Sequence, residues 1–170
     1  MRRPARGFTT TELIVVLSIM GILSGVVVPV LGRLDDMRAN AVLTTTIRDI
    51  RYAQTRALSG KLRTWVVFDP TNETYALYIE PTSGAGRAGR VPMTDPLSQS
   101  SLVRDLNDLS LGQCVLSTVD FGGTLEIEFD SDGVPHDATE TKLSADGSIV
   151  FSQGSRVTAM AQTGYVELTP

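Results

Sequence analysis

The sequence predicts an α+β fold. A long N-terminal helix, made of a membrane half and an amphipathic half, packs on an antiparallel β-sheet head. Three observations predict it. An uncharged apolar run of 19 residues, from Leu13 to Leu31, follows a short arginine-rich start. A polar stretch without Pro or Gly continues a helical pattern over 34–59. From Lys61 onward the pattern changes to period two, with β-branched and aromatic residues.

The run LIVVLSIMGILSGVVVPVL would rise about 28 Å as a helix. That is close to the ~30 Å hydrocarbon core of a bilayer, so 8–32 is expected to cross a membrane. Gly21, Gly25 and Pro29 interrupt the run, as membrane helices tolerate. Glu12 stands one residue ahead of it. An ionisable group at that depth is a functional hypothesis that needs a partner. The obvious partner is an amine freed by cutting after Gly7. Two plainer readings compete: an ordinary cleaved secretory signal, and an N-terminal anchor in which Glu12 is incidental. The run is longer than a signal's ~7–15 apolar residues, and its nearest small-residue site, at Ala39 and Ala41, lies beyond Arg33, Asp35 and Asp36.

In the next segment, 33–60, Leu43, Ile47, Ile50 and Ala57 share one side at helical spacing, with Leu34, Met37 and Leu58 near it. Arg48, Arg51 and Arg56 point elsewhere. The helix is expected from about Thr10 to Ser59, ending at Gly60; a break at 29–32 is the alternative.

The head, 61–170, opens on a strand–turn–strand pattern. Thr64 to Phe68 and Tyr75 to Ile79 flank Asp69-Pro70-Thr71-Asn72-Glu73. Residues 81–101, rich in Gly, Ser and Pro, read as a long exposed loop. Residues 102–111 are ambiguous. Further strands are expected at 115–118, 125–129, 148–151, 157–161 and 165–168, punctuated by glycines. Short turns without intervening helices argue for antiparallel pairing.

Composition narrows the chemistry. With only Cys114, no intrachain disulfide forms, and the residue reads as a small core side chain. His136 has no second histidine to act with. Gly84 to Gly89 superficially fits a phosphate loop but lacks the strand before and the helix after. Asp130-Ser131-Asp132-Gly133 resembles the start of a calcium loop, but Thr141 stands where the closing glutamate is needed; a hairpin turn is the better reading, with calcium at Asp130/Asp132 a minor alternative. From Lys61 onward there are 7 basic and 15 acidic residues, net −8. Such a surface repels polyanions, so nucleic acid is a disfavoured partner. No catalytic, cofactor or metal site is expected, and the chain does not read as an enzyme.

Gly7-Phe8-x-x-x-Glu12-Leu13, with the apolar helix after it, resembles the class III leader of type IV pilin-like proteins. The resemblance implies that prepilin peptidase removes the leader 1–7, cutting between Gly7 and Phe8, and N-methylates Phe8. Glu12 then sets assembly register. Phe129-x-x-x-Gly133-x-Pro135 and Thr163-Gly164-Tyr165-Val166 resemble, more loosely, the GspH/FimT-type head. DNA-binding members carry basic residues after the last glycine; here Tyr165-Val166-Glu167-Leu168 follows, which puts that activity in doubt.

The implied function is a structural minor pseudopilin of a type II secretion pseudopilus, aiding protein export. Its implied partners are other pilin-like subunits, the prepilin peptidase, an inner-membrane assembly platform and, before assembly, the inner membrane itself. The implied localisation is single-pass in a bacterial inner membrane with the head in the periplasm, then in a periplasmic filament. The alternatives are a minor pilin of a type IV pilus, in adhesion or DNA uptake, and a membrane-anchored periplasmic binding domain that never polymerises.

Overall fold

In the computed structural model the described residues are 9–96, 98–108, 114–152 and 154–169, with the backbone alone for 25–39. The chain divides into two compact units, Met1–Met37 and Arg38–Pro170. Residues of α1 (Thr10–Gly60) belong to both.

In the first unit, α1 starts on a capping box. The Thr9 carbonyl accepts the first helical bond, from the Leu13 amide at 3.2 Å. The Thr9 backbone amide donates to Glu12 Oε2 at 2.8 Å, and the Glu12 amide donates back to Thr9 Oγ1 at 3.3 Å. Ser18 and Ser24 turn their hydroxyls onto the carbonyls of Ile14 and Met20, both at 2.8 Å. The helix surface here is therefore almost entirely hydrocarbon.

The second unit carries its own core. Every buried apolar side chain among the described residues lies between Val42 and Val166. Its strands are β1 (Thr64–Asp69), β2 (Thr74–Ile79), β3 (Val91–Pro92), β4 (Val103–Asp105), β5 (Leu116–Asp120), β6 (Glu126–Phe129), β7 (Pro135–His136), β8 (Gly147–Phe151), β9 (Arg156–Ala159) and β10 (Val166–Thr169). They form two antiparallel sheets. One runs β3-β2-β1-β6-β7 with β4 also on β2, and the other runs β10-β9-β8-β5. Pro92 sits in the two-residue β3 at a sheet border, where its missing N–H costs nothing to the ladder.

The inner face of the first sheet holds Val66, Phe68, Leu77, Ile127 and Phe129, all nearly inaccessible. Ala53, Ala57, Leu43 and Ile50 of α1 are buried in the same core. Thr64 Oγ1, on that face, donates to the Ala53 carbonyl at 3.0 Å.

The expected fold is corrected on three counts. The head has two sheets, because β5, β8, β9 and β10 pair among themselves while β6 and β7 join β1. The helical residues expected as a membrane half and a head half are divided between the two compact units at Met37 and Arg38. No helix among the described residues is long and apolar enough to cross a membrane. A single-pass inner-membrane anchor with a periplasmic head is therefore corrected as well.

The 81–101 segment is also not the free loop expected. It contains a 3₁₀ turn (Arg87–Gly89) and β3, and a bridge ties Thr94 to Ser101.

Candidate functional site

Of the residues singled out in the sequence, Gly7 and Phe8 lie outside the described residues. Glu12 is exposed and occupied by its own chain: Oε2 also accepts Thr9 Oγ1 at 2.9 Å. Beyond it, nine apolar side chains between Leu13 and Leu23 are 47% to 70% exposed. Gly21 has no side-chain neighbour within 4 Å. Within one chain this surface has no cover. A helix apolar all round is stable only when something surrounds it.

In the second unit, the Phe129–Pro135 and Thr163–Val166 elements singled out in the sequence meet at one residue of α1. Gln54 Nε2 donates to the carbonyls of Gly133 at 3.0 Å and Thr163 at 2.7 Å. Both motif glycines have positive φ, +72° at Gly133 and +66° at Gly164. A Cβ at Gly164 would stand 2.5 Å from Gln54 Nε2 and 2.9 Å from Phe129 Cε1. Arg51 adds a second clasp. Its Nε and Nη2 donate to the Val166 carbonyl at 3.1 and 2.5 Å, and its guanidinium lies 4.8 Å from the centre of the Tyr165 ring. The two elements thus close the head onto its helix.

Sequence reasoning missed a set of buried carboxylates. Asp49, Glu80, Glu126 and Glu128 are each 1–4% exposed. Each is answered by hydrogen bonds, as buried charge requires. Glu126 is gripped by Arg87 Nη2 at 2.6 Å and Arg90 Nη1 at 2.7 Å. Arg87 also donates to the Ala138 carbonyl, and Arg90 lies 4.7 Å over the Tyr78 ring. Glu128 accepts Trp65 Nε1 at 2.8 Å and Arg63 Nη1 at 3.3 Å. Burial pushes the Glu128 carboxyl up, and the Trp65 and Arg63 donors only partly offset it. Burial acts on Glu80 in the same sense, but the backbone N–H groups of Gly86, Arg63 and Gly84 outweigh it and leave the carboxyl below the usual range. Asp49 accepts Arg104 Nε at 2.9 Å and the Tyr75 hydroxyl at 3.1 Å. Burial, then the Asp49 charge, pushes the Tyr75 hydroxyl up.

In the sequence Glu126 and Glu128 alternate with Ile127 and Phe129. The structure covers Glu126 with Arg87 and Arg90 and Glu128 with Trp65 and Arg63. The signal was there in Arg87 and Arg90, spaced three apart and the only charges over 81–90.

The remaining candidates have local duties. Asp130 Oδ1 accepts the amides of Asp132 and Val134, both at 2.9 Å, and Asp132 pairs with Lys61 at 3.0 Å. That is turn geometry, with the carboxylate already spent. No group of His, Cys, Asp and Glu among the described residues is arranged to hold a metal ion. His136 is half-buried opposite Glu128 in the ladder, with Nδ1 3.0 Å from the Val134 carbonyl. Cys114 is fully buried. An open cleft of about 290 Å³ lies beside Asp49, Tyr52, Leu102 and Arg104, and Arg104 is paired with Asp49 there.

Comparison with known proteins finds no matching family model, no matching curated protein and no matching solved structure.

Proposed function

We propose that the chain is a structural subunit of a type IV pilin-like filament, of the GspH/FimT minor pseudopilin kind, serving protein export by type II secretion. Prepilin peptidase cuts between Gly7 and Phe8 and methylates the new amine, and an assembly platform adds the subunit to the filament. The helix after Glu12 then packs against the equivalent helices of neighbouring subunits. The observation that carries this reading is the row of nine apolar side chains from Leu13 to Leu23, 47% to 70% exposed, directly after a charged residue at a capped helix start. Burial of such a surface is favourable in proportion to its area, and filament neighbours supply the cover.

Glu12 has a second task in this reading. Charged and next to an apolar surface, it needs a cation once water is excluded, and a neighbour's Phe8 amine is the available one. A buried pair of this kind sets register more than it adds stability. The assignment is tested by mass spectrometry of the mature protein from its native host. The expected N-terminus is N-methylated Phe8, and replacing Gly7 by a bulky residue leaves 1–7 attached. A mature chain starting elsewhere, or normal trimming of the Gly7 variant, overturns it.

A further inference from the structure

On the second unit, α1 presents one face to the core and one to solvent. Asp49 is its only acidic residue over 40–60 and it is buried, 4% exposed. The exposed positions include Arg48, Arg51 and Arg56. The outward helix face is therefore purely cationic. Arg56 pairs with no carboxylate among the described residues, and Arg48 meets Asp49 only at 3.4 Å. Arg51 is held rigid by the Val166 carbonyl and stacks on Tyr165, itself 50% exposed. A preorganised arginine beside a half-exposed tyrosine has the composition of an interface hot spot.

The rest of this unit has the opposite sign. From Lys61 onward it is net −8, and Arg63, Arg87, Arg90 and Arg104 are drawn into pairs with buried carboxylates. Two exposed acids share one end of the second sheet. Asp120 ends β5 and Asp146 precedes β8; the antiparallel register Asp120↔Ser148 puts both at the same end of the sheet. Asp120 and Asp146 accept only backbone amides, from Gly123 at 2.8 Å and Ala161 at 2.9 Å, so their charge faces outward unneutralised.

We propose that the arginine face Arg48/Arg51/Arg56 receives the acidic corner Asp120/Asp146 of a second copy of the chain. This rests on the filament reading and adds to it a head-to-head contact and a repeated subunit. Two different patches of one molecule make a heterologous contact, which propagates instead of closing a dimer. The pairs are exposed, so the contact is weak alone and steeply salt-dependent.

The test uses the unit 38–170, which carries its whole core. Sedimentation velocity compares about 0.01 M salt, where the Debye length is ~30 Å, with about 1 M, where it is ~3 Å. Self-association in the first and monomer in the second are expected. Two variants, each checked for unchanged melting, sharpen this. Arg48→Gln/Arg56→Glu and Asp120→Lys/Asp146→Lys should each stay monomeric alone at low salt, and should associate when mixed, because each then offers what the other lacks. A wild-type unit monomeric at low salt, variants that associate alone, or a mixture that stays monomeric overturns the proposal. None of these outcomes bears on cleavage at Gly7, so the filament reading stands or falls separately.

Discussion

Replacing Gly164 by alanine should cost the head a large part of its stability. The residue sits at φ +66°, where an L side chain is strained by roughly 1–2 kcal/mol. The added Cβ would lie 2.5 Å from Gln54 Nε2, 2.9 Å from Phe129 Cε1 and 3.0 Å from the Gly133 carbonyl. Two of these neighbours are fixed, one as backbone and one as a fully buried ring, so Gln54 must move. It then gives up its bonds to Gly133 and Thr163, at 3.0 and 2.7 Å. Each is worth about 0.5–1.5 kcal/mol net, which brings the total to roughly 2–5 kcal/mol. Gly123→Ala is the control, since its φ is +82° but nothing lies within 4 Å of the new Cβ; only the backbone strain applies there. Urea unfolding of the unit 38–170, with the slope checked for constancy, should place Gly164→Ala well below Gly123→Ala. Equal losses for the two variants would refute the idea that Gln54 clasps the two glycine elements together.

Further outcomes follow from the buried charges and the helix start. Glu80 has a lowered carboxyl, so its stabilisation is present above the usual carboxylate range and is lost as pH falls through its folded value. Glu80→Gln should therefore melt lower than wild type near neutrality, with the gap closing in acid. Glu128 has a raised carboxyl, so its contribution is greatest in acid and declines as pH rises through its folded value; relative to wild type, Glu128→Gln should gain melting temperature from acid toward neutral pH. Arg87→Ala together with Arg90→Ala leaves the buried Glu126 unpaired, a change typically worth about 3–5 kcal/mol, and should open 81–90 to limited proteolysis. Glu12→Ala should leave cleavage intact but lower incorporation with other pilin-like subunits, whereas Thr9→Ala, which removes only the cap, should incorporate normally. Equal incorporation by wild type and Glu12→Ala would end the register role.

Local pattern located the strands well and the layers poorly. The runs around Trp65, Leu77, Ile127, Ile149 and Val157 fall where period two places them, because alternation reports which side chains one face must bury. Alternation does not say what covers the other face. Glu126 is met by Arg87 and Arg90 from 39 and 36 residues away, and Glu128 by Trp65 and Arg63 from 63 and 65, long-range matches that no local window contains. The division into two sheets escaped for the same reason, since β5 and β8 find each other across β6 and β7. The apolar run from Leu13 to Leu31 was over-read in a different way. Its length matched a bilayer, but length and hydropathy are shared by any helix that must be surrounded by hydrocarbon, whether lipid or protein.

Glycine and arginine prove to be the informative residues of the head, and for opposite reasons. Gly133 and Gly164 matter for what they lack: a side chain at either would strike α1 or its Gln54 clasp. Their motif spacing was visible in the sequence because a missing Cβ is a local requirement. The arginines matter for where they reach. Arg63, Arg87, Arg90 and Arg104 turn inward onto carboxylates, while Arg48, Arg51 and Arg56 remain outward on one helix face. The same residue type thus serves closure of the head in one set and leaves recognition to the other, and the distinction rests on how far each guanidinium is drawn inward: Arg104 meets the buried Asp49 at 2.9 Å, Arg48 only at 3.4 Å. That partition is what makes an acidic chain carry one basic surface. A second copy, acidic over most of its head, is the complementary body nearest to hand in any filament built from this chain.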